Sequence, residues 1–382
     1  MEIILQNLKF RQKLVAFILA LIFLAACMPP VSKTPRPEET NLPPIVPTSR
    51  QNSLTATLLA EWKMGNVEDM AWSPDSKMVA VNYWLDGDDS NNFVQAFSVE
   101  SLKSIWIVEN SLAWNLVFTP DGQFIVESNT NVPFFYWRNV EQGQVVRQGE
   151  FTNLSQIKLG DCNGGGQILI TNTHENTALI ADYGNLLGPR TNNIVAIRQL
   201  DFETGKCKNL FDYQGSFDLF DLNAGGSLLA YGGEGEDDSV VIWDMEEQTE
   251  VCRTHKVGFG RFVPGENTLA VVRDQKITFI DASTCQEMGG LNMSPASDYE
   301  NYLAFSPDGK LLAVARDSIQ IIKVSAGETL AQIPFPEKAI PISNELFLSG
   351  MKFSPNGRFL LIAYYLLDGA DDGEIQLWQL SE

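Results

Sequence analysis

The stretch Phe305-Ser306-Pro307-Asp308-Gly309 decides the fold, because related copies of it recur along the chain. Proline pre-sets its own φ, aspartate hydrogen-bonds to the local backbone and glycine accepts a positive φ, so each copy predicts a tight hairpin turn. The other copies are Trp72-Ser73-Pro74-Asp75, Phe118-Thr119-Pro120-Asp121-Gly122, Phe353-Ser354-Pro355-Asn356-Gly357 and the decayed Phe262-Val263-Pro264-Gly265. A turn repeated every 40 residues or so, about the length of one supersecondary unit, indicates a repeat architecture.

Short strand-like runs surround each of these turns. Met78-Val79-Ala80-Val81 and Leu311-Leu312-Ala313-Val314 follow two of the turns and predict strands buried on both faces. A second run then ends in an aromatic or aliphatic residue, often followed by a polar one, as in Val241-Ile242-Trp243-Asp244. Because no helical periodicity of useful length appears, we expect an all-β body, residues 54–382, built as about seven four-stranded propeller blades.

The body resembles the WD-repeat (WD40-like) family, with Trp243-Asp244 as the one intact copy of its signature dipeptide. The resemblance spans about residues 55 to 382 and implies a closed β-propeller. It departs from the family pattern in lacking the Gly-His pair, since His174 and His255 are the only histidines. We therefore expect a divergent propeller and carry over no partner from the family.

Both ends of the body predict how the ring closes. The chain runs only three strands into its last blade, ending near Leu380, while the run from Thr57 to Trp62 has no hairpin partner of its own. Placing that N-terminal strand at the outer edge of the last blade would complete the sheet. The segment from Asp182 to Asn193 is glycine-containing and reads as a loop inserted into the third blade.

The first 26 residues have the layout of a secretory signal peptide. Cations come first, followed by an apolar run from Leu14 to Leu24 and then small residues. The run is shorter than the roughly 20 residues that a transmembrane helix needs. Residues 28–53 are rich in proline and predict a semi-rigid linker between the export signal and the body.

Leu24-Ala25-Ala26-Cys27 resembles the lipobox of bacterial lipoproteins. The resemblance implies diacylglycerol on Cys27, a mature chain that begins there, and an extracytoplasmic protein held at the outer membrane or cell surface. The domain boundaries are then 1–26 for the signal peptide, 27–53 for the lipidated cysteine and linker, and 54–382 for the propeller. The alternative is an ordinary signal peptide with an incidental cysteine.

The net charge and the absence of known catalytic motifs limit the classes of function that the sequence allows. A formal net charge of −21 argues against nucleic-acid binding, which depends on Lys and Arg neutralising phosphates. The nucleophile-elbow, zinc-protease, P-loop and dinucleotide-binding motifs are all absent. We therefore expect a protein- or ligand-binding scaffold with an envelope protein as its partner. The alternative is an extracytoplasmic hydrolase or lactonase that uses carboxylates of the propeller channel.

The four remaining cysteines lie in the body. An even count in an oxidising compartment permits disulfides. Cys162 lies by the first hairpin turn of the third blade and Cys207 just past its third strand, which places both on the same side of the ring and makes them a candidate disulfide pair. Cys252 and Cys285 are predicted to be buried thiols on the fourth strands of adjacent blades, and no C-x-x-C spacing suggests zinc.

One acidic constellation is a candidate metal site. Its members fall between the second and third strands of the first and last blades, which are neighbours in a closed ring: Asp86, Asp88, Asp89, Asp368, Asp371 and Asp372. Gathered carboxylates could hold calcium. Asp- and Gly-rich hairpins are also ordinary solvated turns, and no cofactor is expected besides the lipid.

Overall fold

The structure is a computed structural model. It describes residues 54–85, 92–111, 113–129, 132–148, 166–172, 176–182, 194–214, 219–232, 239–255, 260–273, 276–292, 303–336, 348–364 and 373–382. Every regular element within these ranges is a β-strand. None of the described residues belongs to a helix long and apolar enough to span a bilayer.

The strands are short and follow one another closely along the chain. In order they are β1 (Thr55–Met64), β2 (Asn66–Trp72), β3 (Met78–Trp84), β4 (Asn92–Ser98), β5 (Ser104–Glu109), β6 (Asn115–Phe118), β7 (Phe124–Asn129), β8 (Val132–Asn139), β9 (Val145–Gln148), β10 (Gly166–Asn172), β11 (Thr177–Asp182), β12 (Ile194–Asp201), β13 (Cys207–Gln214), β14 (Leu219–Leu222), β15 (Leu228–Gly232), β16 (Val240–Asp244), β17 (Thr249–Thr254), β18 (Gly260–Phe262), β19 (Thr268–Arg273), β20 (Lys276–Asp281), β21 (Glu287–Leu291), β22 (Leu303–Phe305), β23 (Leu311–Ala315), β24 (Ile319–Lys323), β25 (Glu328–Ile333), β26 (Leu348–Phe353), β27 (Phe359–Tyr364) and β28 (Gly373–Ser381).

Seven four-stranded antiparallel sheets form the blades of a β-propeller. Six blades take consecutive strands, from β2–β5 in the first blade to β22–β25 in the sixth. The seventh has the order β26-β27-β28-β1, so the N-terminal strand β1 forms its outer edge. Thr55 to Met64 pair along β28 from Ser381 back to Gly373. The predicted fold class and ring closure are therefore confirmed.

The repeated turn holds its shape through one serine hydroxyl. Ser306 Oγ donates to Asp308 Oδ1 at 2.7 Å and accepts from the N–H of Leu311 at 2.9 Å. Gly309 follows with a φ of 69°, in the left-handed region that glycine tolerates. Partial burial raises the pKa of Asp308, but hydrogen bonds from Ser306 and Lys310 outweigh it, and the pKa lies below its usual value.

The second strand of each blade supplies much of the core. All five residues of β15 are buried, as are four of five in β23, because neighbouring blades cover both faces of these apolar strands. The largest buried cluster joins residues of the fourth, fifth and sixth blades. The core therefore lies between blades, so each blade depends on its neighbours.

The outer strand of every blade contains a β-bulge at the same place. One residue of the outer strand is left out of the pairing register, and it is aliphatic or Met in all seven blades: Leu59, Ile105, Val146, Leu210, Val251, Met288 and Leu330. A bulge twists an edge strand and interrupts its open hydrogen-bonding row. The rim is thereby protected from edge-to-edge pairing with another chain.

Candidate functional site

Several predicted site residues lie outside the described part of the chain. They are Cys27, Cys162 and the acidic set Asp86, Asp88, Asp89, Asp368, Asp371 and Asp372, together with residues 183–193 of the predicted insertion. Cys207 begins β13 and is disulfide-bonded. Of the two histidines, His255 is described and lies exposed just after β17. Among the described residues no group of three or more His, Cys, Asp or Glu is arranged to hold a metal.

The first strands of neighbouring blades contact one another and so form the inner wall of the ring. Asp69 lies on one of them, β2. Its Oδ2 accepts a hydrogen bond from the N–H of Leu116 in the second blade at 2.8 Å, and its Oδ1 receives Lys352 Nζ of the seventh blade at 2.8 Å. This one carboxylate therefore connects three consecutive blades.

Asp221 has a comparable role between the fourth and fifth blades. It accepts from the N–H of Phe262 at 2.5 Å, and Arg261 Nη1 lies 4.0 Å from its other oxygen. Asp69 and Asp221 are thus engaged in holding inner strands together, which is a structural task. Neither residue supports the predicted alternative, a hydrolase with channel carboxylates as its acid and base.

A disulfide joins Cys252 to Cys285, with their Cα atoms 5.8 Å apart. The prediction that these two are buried thiols on fourth strands is wrong. Cys252 does lie on the outer strand β17, but Cys285 lies in the turn before β21 and has a φ of 55°. That turn reaches back toward the preceding blade, so the bond links the fourth blade to the fifth.

The corresponding turns of other blades show why the bridge forms there. The same left-handed position is occupied by Leu102, Gly143, Gly205, Gln248 and Gly327. At Gly143, an added Cβ would lie 2.6 Å from the ring of Trp106, which is the residue of β5 that corresponds to Cys252. Trp106 Nε1 also donates to the carbonyl of Val140 at 2.7 Å. The turn of one blade therefore packs against the outer strand of the preceding blade.

A groove of about 590 Å³ opens between the second and third blades. Among the described residues, the apolar lining consists of Phe124, Trp137, Val146 and Phe202, and the polar lining of Thr119, Asp121, Asn176 and Glu203. Trp137 and Phe202 belong to the core cluster shared by these two blades, so the groove floor is continuous with the core. The size lies within the range of ligand and side-chain pockets.

An exposed aliphatic residue and two carboxylates lie at the edge of the groove. Val146 is the bulged residue of β9 and is 54% exposed, as are Met288 and Ile105 at the same position of other blades, at 56% and 43%, whereas Leu59, Leu210 and Val251 pack against core clusters. Asp121 and Glu203 are exposed carboxylates on turns of adjacent blades. None of the lining residues that the structure describes is Lys or Arg. The groove thus combines an apolar floor with an acidic margin.

Sequence reasoning did not find the groove or the buried ion pair of the second blade. In that pair Arg138 Nε donates to Glu127 Oε1, and Glu127 is 1% exposed. Glu127 interrupts the apolar run of β7, and Arg138 follows the aromatic run of β8. A charged residue inside each of two adjacent buried strands is the signal that points to such a pair.

No protein-family model matches the chain, and no curated protein matches it. Solved structures do match. One chain of the structure described as "Crystal Structure of Mitotic Checkpoint Complex" aligns with a TM-score of 0.60 at 17% identity, covering 94% of this chain and 100% of that chain. At this level of sequence identity, the match shows only that the two chains share a fold. The chain therefore has the fold of a seven-bladed, WD40-type β-propeller.

Proposed function

We propose that the chain is an extracytoplasmic lipoprotein, anchored through Cys27, whose propeller is a protein- or ligand-binding scaffold at the outer membrane or cell surface. The signal-peptide layout and the Leu24-Ala25-Ala26-Cys27 motif motivate the anchor. Two acyl chains or more hold a protein stably on a membrane, whereas one binds marginally. The proline-rich linker would separate the propeller from the lipid surface.

The Cys252–Cys285 disulfide is the main observation that supports the proposed extracytoplasmic location. Structural disulfides form and persist in oxidising compartments outside the cytoplasm and are rare inside it. This observation comes from the body of the protein and is independent of the N-terminal motif. It supports export, because a bridge between two blades would have little chance of forming among cytoplasmic reductants.

The scaffold role has separate support. The described inner-wall carboxylates Asp69 and Asp221 bind the backbone of the adjacent blade, and the ring is closed by ten residues of β1. A ring fastened in this way presents fixed surfaces. The matched solved structure is itself described as a complex, and its propeller fold is compatible with a protein-binding scaffold.

Membrane fractionation of the wild type and the Cys27→Ser variant tests the anchor. The wild type should sediment with membranes and partition into detergent, while C27S should appear in the aqueous fraction with the same thermal unfolding midpoint. The matched control is C252S, which removes a cysteine of the body and should stay with the membranes. Membrane-bound C27S would refute the anchor.

Thiol labelling before and after reduction tests the compartment. In the exported wild type, Cys252 and Cys285 should resist alkylation until a reductant is added. In a chain lacking residues 1–26 and retained in the cytoplasm, both should be labelled at once. Free thiols in the exported protein would contradict an oxidising destination.

A further inference from the structure

The turn between β26 and β27 contains an asparagine followed by glycine, Asn356-Gly357, which no other repeated turn that the structure describes contains. Asn356 is exposed to solvent. A glycine lacks Cβ, so its backbone nitrogen meets little steric hindrance when it approaches the side-chain amide of the preceding asparagine. This dipeptide is therefore chemically suited to deamidation, in which the amide becomes an acid.

The reaction needs only water besides the chain. The backbone nitrogen of Gly357 attacks Cγ of Asn356, a C–N bond forms, and the bond from Cγ to Nδ2 breaks. The proton that the nitrogen gives up leaves with the released ammonia, and a five-membered succinimide remains. Water then opens either C–N bond of the ring that flanks the shared nitrogen. Opening at Cγ gives aspartate, and opening at the main-chain carbonyl gives isoaspartate.

The folded turn holds the reacting atoms in an unproductive arrangement. The N–H of Gly357 donates to the carbonyl of Ser354 at 2.8 Å, and the φ of Asn356 is negative. These features define a type I turn, in which the third residue has a ψ of about 0°. Closing a succinimide requires Cβ of Asn356 and the nitrogen of Gly357 to be nearly eclipsed about the intervening bond. The ψ of Asn356 must therefore rotate by about a third of a full turn before the ring can form.

Several hydrogen bonds oppose that rotation. Asn356 Oδ1 accepts from Ser354 Oγ at 2.8 Å and from the N–H of Arg358 at 3.0 Å. The N–H of Asn356 donates at 3.1 Å to Ser76 Oγ, which belongs to the equivalent turn of the first blade. Ser354 is completely buried. The turn is thus held both internally and across the boundary between the seventh and first blades.

We propose that Asn356 is a deamidation site that the folded turn keeps closed, so that the residue is modified only in chains whose turn between β26 and β27 has opened. Conversion to aspartate leaves the turn intact, because Asp75, Asp121 and Asp308 accept the same hydrogen bond in other blades. Isoaspartate lengthens the backbone by one carbon atom and so prevents the turn from re-forming. The modification therefore marks chains in which this turn has opened.

The test compares the folded and the urea-unfolded full-length chain in the same mildly alkaline buffer. Trypsin releases Asn356 in a peptide from Phe353 to Arg358, which is separate from Asn163-Gly164, the other Asn-Gly pair of the sequence. Mass spectrometry measures the conversion of the amide, and chromatography separates aspartate from isoaspartate. We expect conversion to be about tenfold slower, or slower still, in the folded chain, since it requires local opening.

Two of these results would overturn the proposal. A folded chain that deamidates at Asn356 as fast as the unfolded chain would show that the turn gives no protection. An unfolded chain in which Asn356 keeps its amide would show that the dipeptide is not a deamidation site. Both measurements use the wild type and do not depend on the folding of any variant.

Variants then test whether the turn itself is the gate. Ser354→Ala removes a donor to Asn356 Oδ1 and should accelerate deamidation in the folded chain about twofold to tenfold, the effect of one hydrogen bond. Ser354→Thr should keep the wild-type rate, because Thr119 donates to Asp121 in the second blade at 2.6 Å. Ser306→Ala removes the same hydroxyl from the sixth blade and should leave the rate at Asn356 unchanged. Equal acceleration by S354A and S306A would overturn the proposal, since deamidation would then follow unfolding of the whole chain.

Discussion

Two boundaries between blades use the same geometry with different chemistry. Between the fourth and fifth blades, Cys252 on the outer strand is bonded to Cys285 in the following turn. Between the first and second blades the equivalent positions hold Trp106 and Gly143, and the indole packs on the glycine backbone. The propeller backbone brings the outer strand of one blade close to the turn of the next blade at both boundaries. The side chains at that point decide whether the contact is a disulfide or an aromatic ring packed on glycine.

The noncovalent boundary is reinforced by the buried ion pair. Arg138 donates to Glu127 and also, through Nη1, to the carbonyl of Gly143 at 3.0 Å. Ser111, on the segment that enters the second blade, lies with its Oγ 3.3 Å from Glu127 Oε2. The turn that contains Gly143 is thus held by the hydrogen bond from Arg138 to its carbonyl and by the packing of Trp106 on its backbone. At the boundary between the fourth and fifth blades, the disulfide takes the place of the contact between Trp106 and Gly143.

Removing one member of the ion pair should have the largest effect. Glu127→Leu leaves the Arg138 charge buried without its counterion, and we expect a loss of about 3 to 5 kcal/mol in the free energy of unfolding. The double variant Glu127→Leu, Arg138→Met should recover most of the loss, because it removes both charges. Urea unfolding followed by tryptophan fluorescence measures this. A double variant as unstable as the single one would show that packing, and not the unpaired charge, sets the cost.

Removing the disulfide should have the next largest effect. The two cysteines are 33 residues apart, and closing a loop of that length stabilises the folded state by about 3 to 4 kcal/mol in the chain-entropy model. We expect Cys252→Ala, Cys285→Ala to lose that amount in oxidising buffer. With a reductant present, the wild type and the variant should converge. Equal stability in oxidising buffer would mean that the boundary is held without the bond.

The contact of Trp106 with Gly143 should give the smallest of the three effects. Gly143→Val combines a positive φ of 69° with a clash against the indole, whereas Gly265→Val places valine at a φ of 80° with no heavy atom within 4 Å of its Cβ. The first variant should therefore be about 1 to 3 kcal/mol less stable than the second. Thermal and urea unfolding of both variants measure the difference. Equal losses in the free energy of unfolding would show that the positive φ alone, and not the clash with Trp106, destabilises the Gly143 variant.

The repeated turns made the fold predictable, since Ser306, Pro307, Asp308 and Gly309 each favour one local conformation and the copies recur at the blade spacing. Ring closure was predictable too, because Thr57 to Trp62 lacked a local partner. The Cys252–Cys285 bridge was missed because Cys285 was assigned to a strand. Aligning it with Gly143 and Gly327 would have placed it in the turn. The groove depends on how two blades meet, which no local pattern records.

The central claim is that the propeller is exported and anchored through Cys27. Mass spectrometry of the N-terminal peptide, taken from the chain in its membrane fraction, tests that claim most directly. We predict a mature chain that begins at Cys27 and carries the added mass of diacylglycerol on its sulfur. A chain that retains residues 1–26, or one that begins with an unmodified Cys27, would contradict the claim.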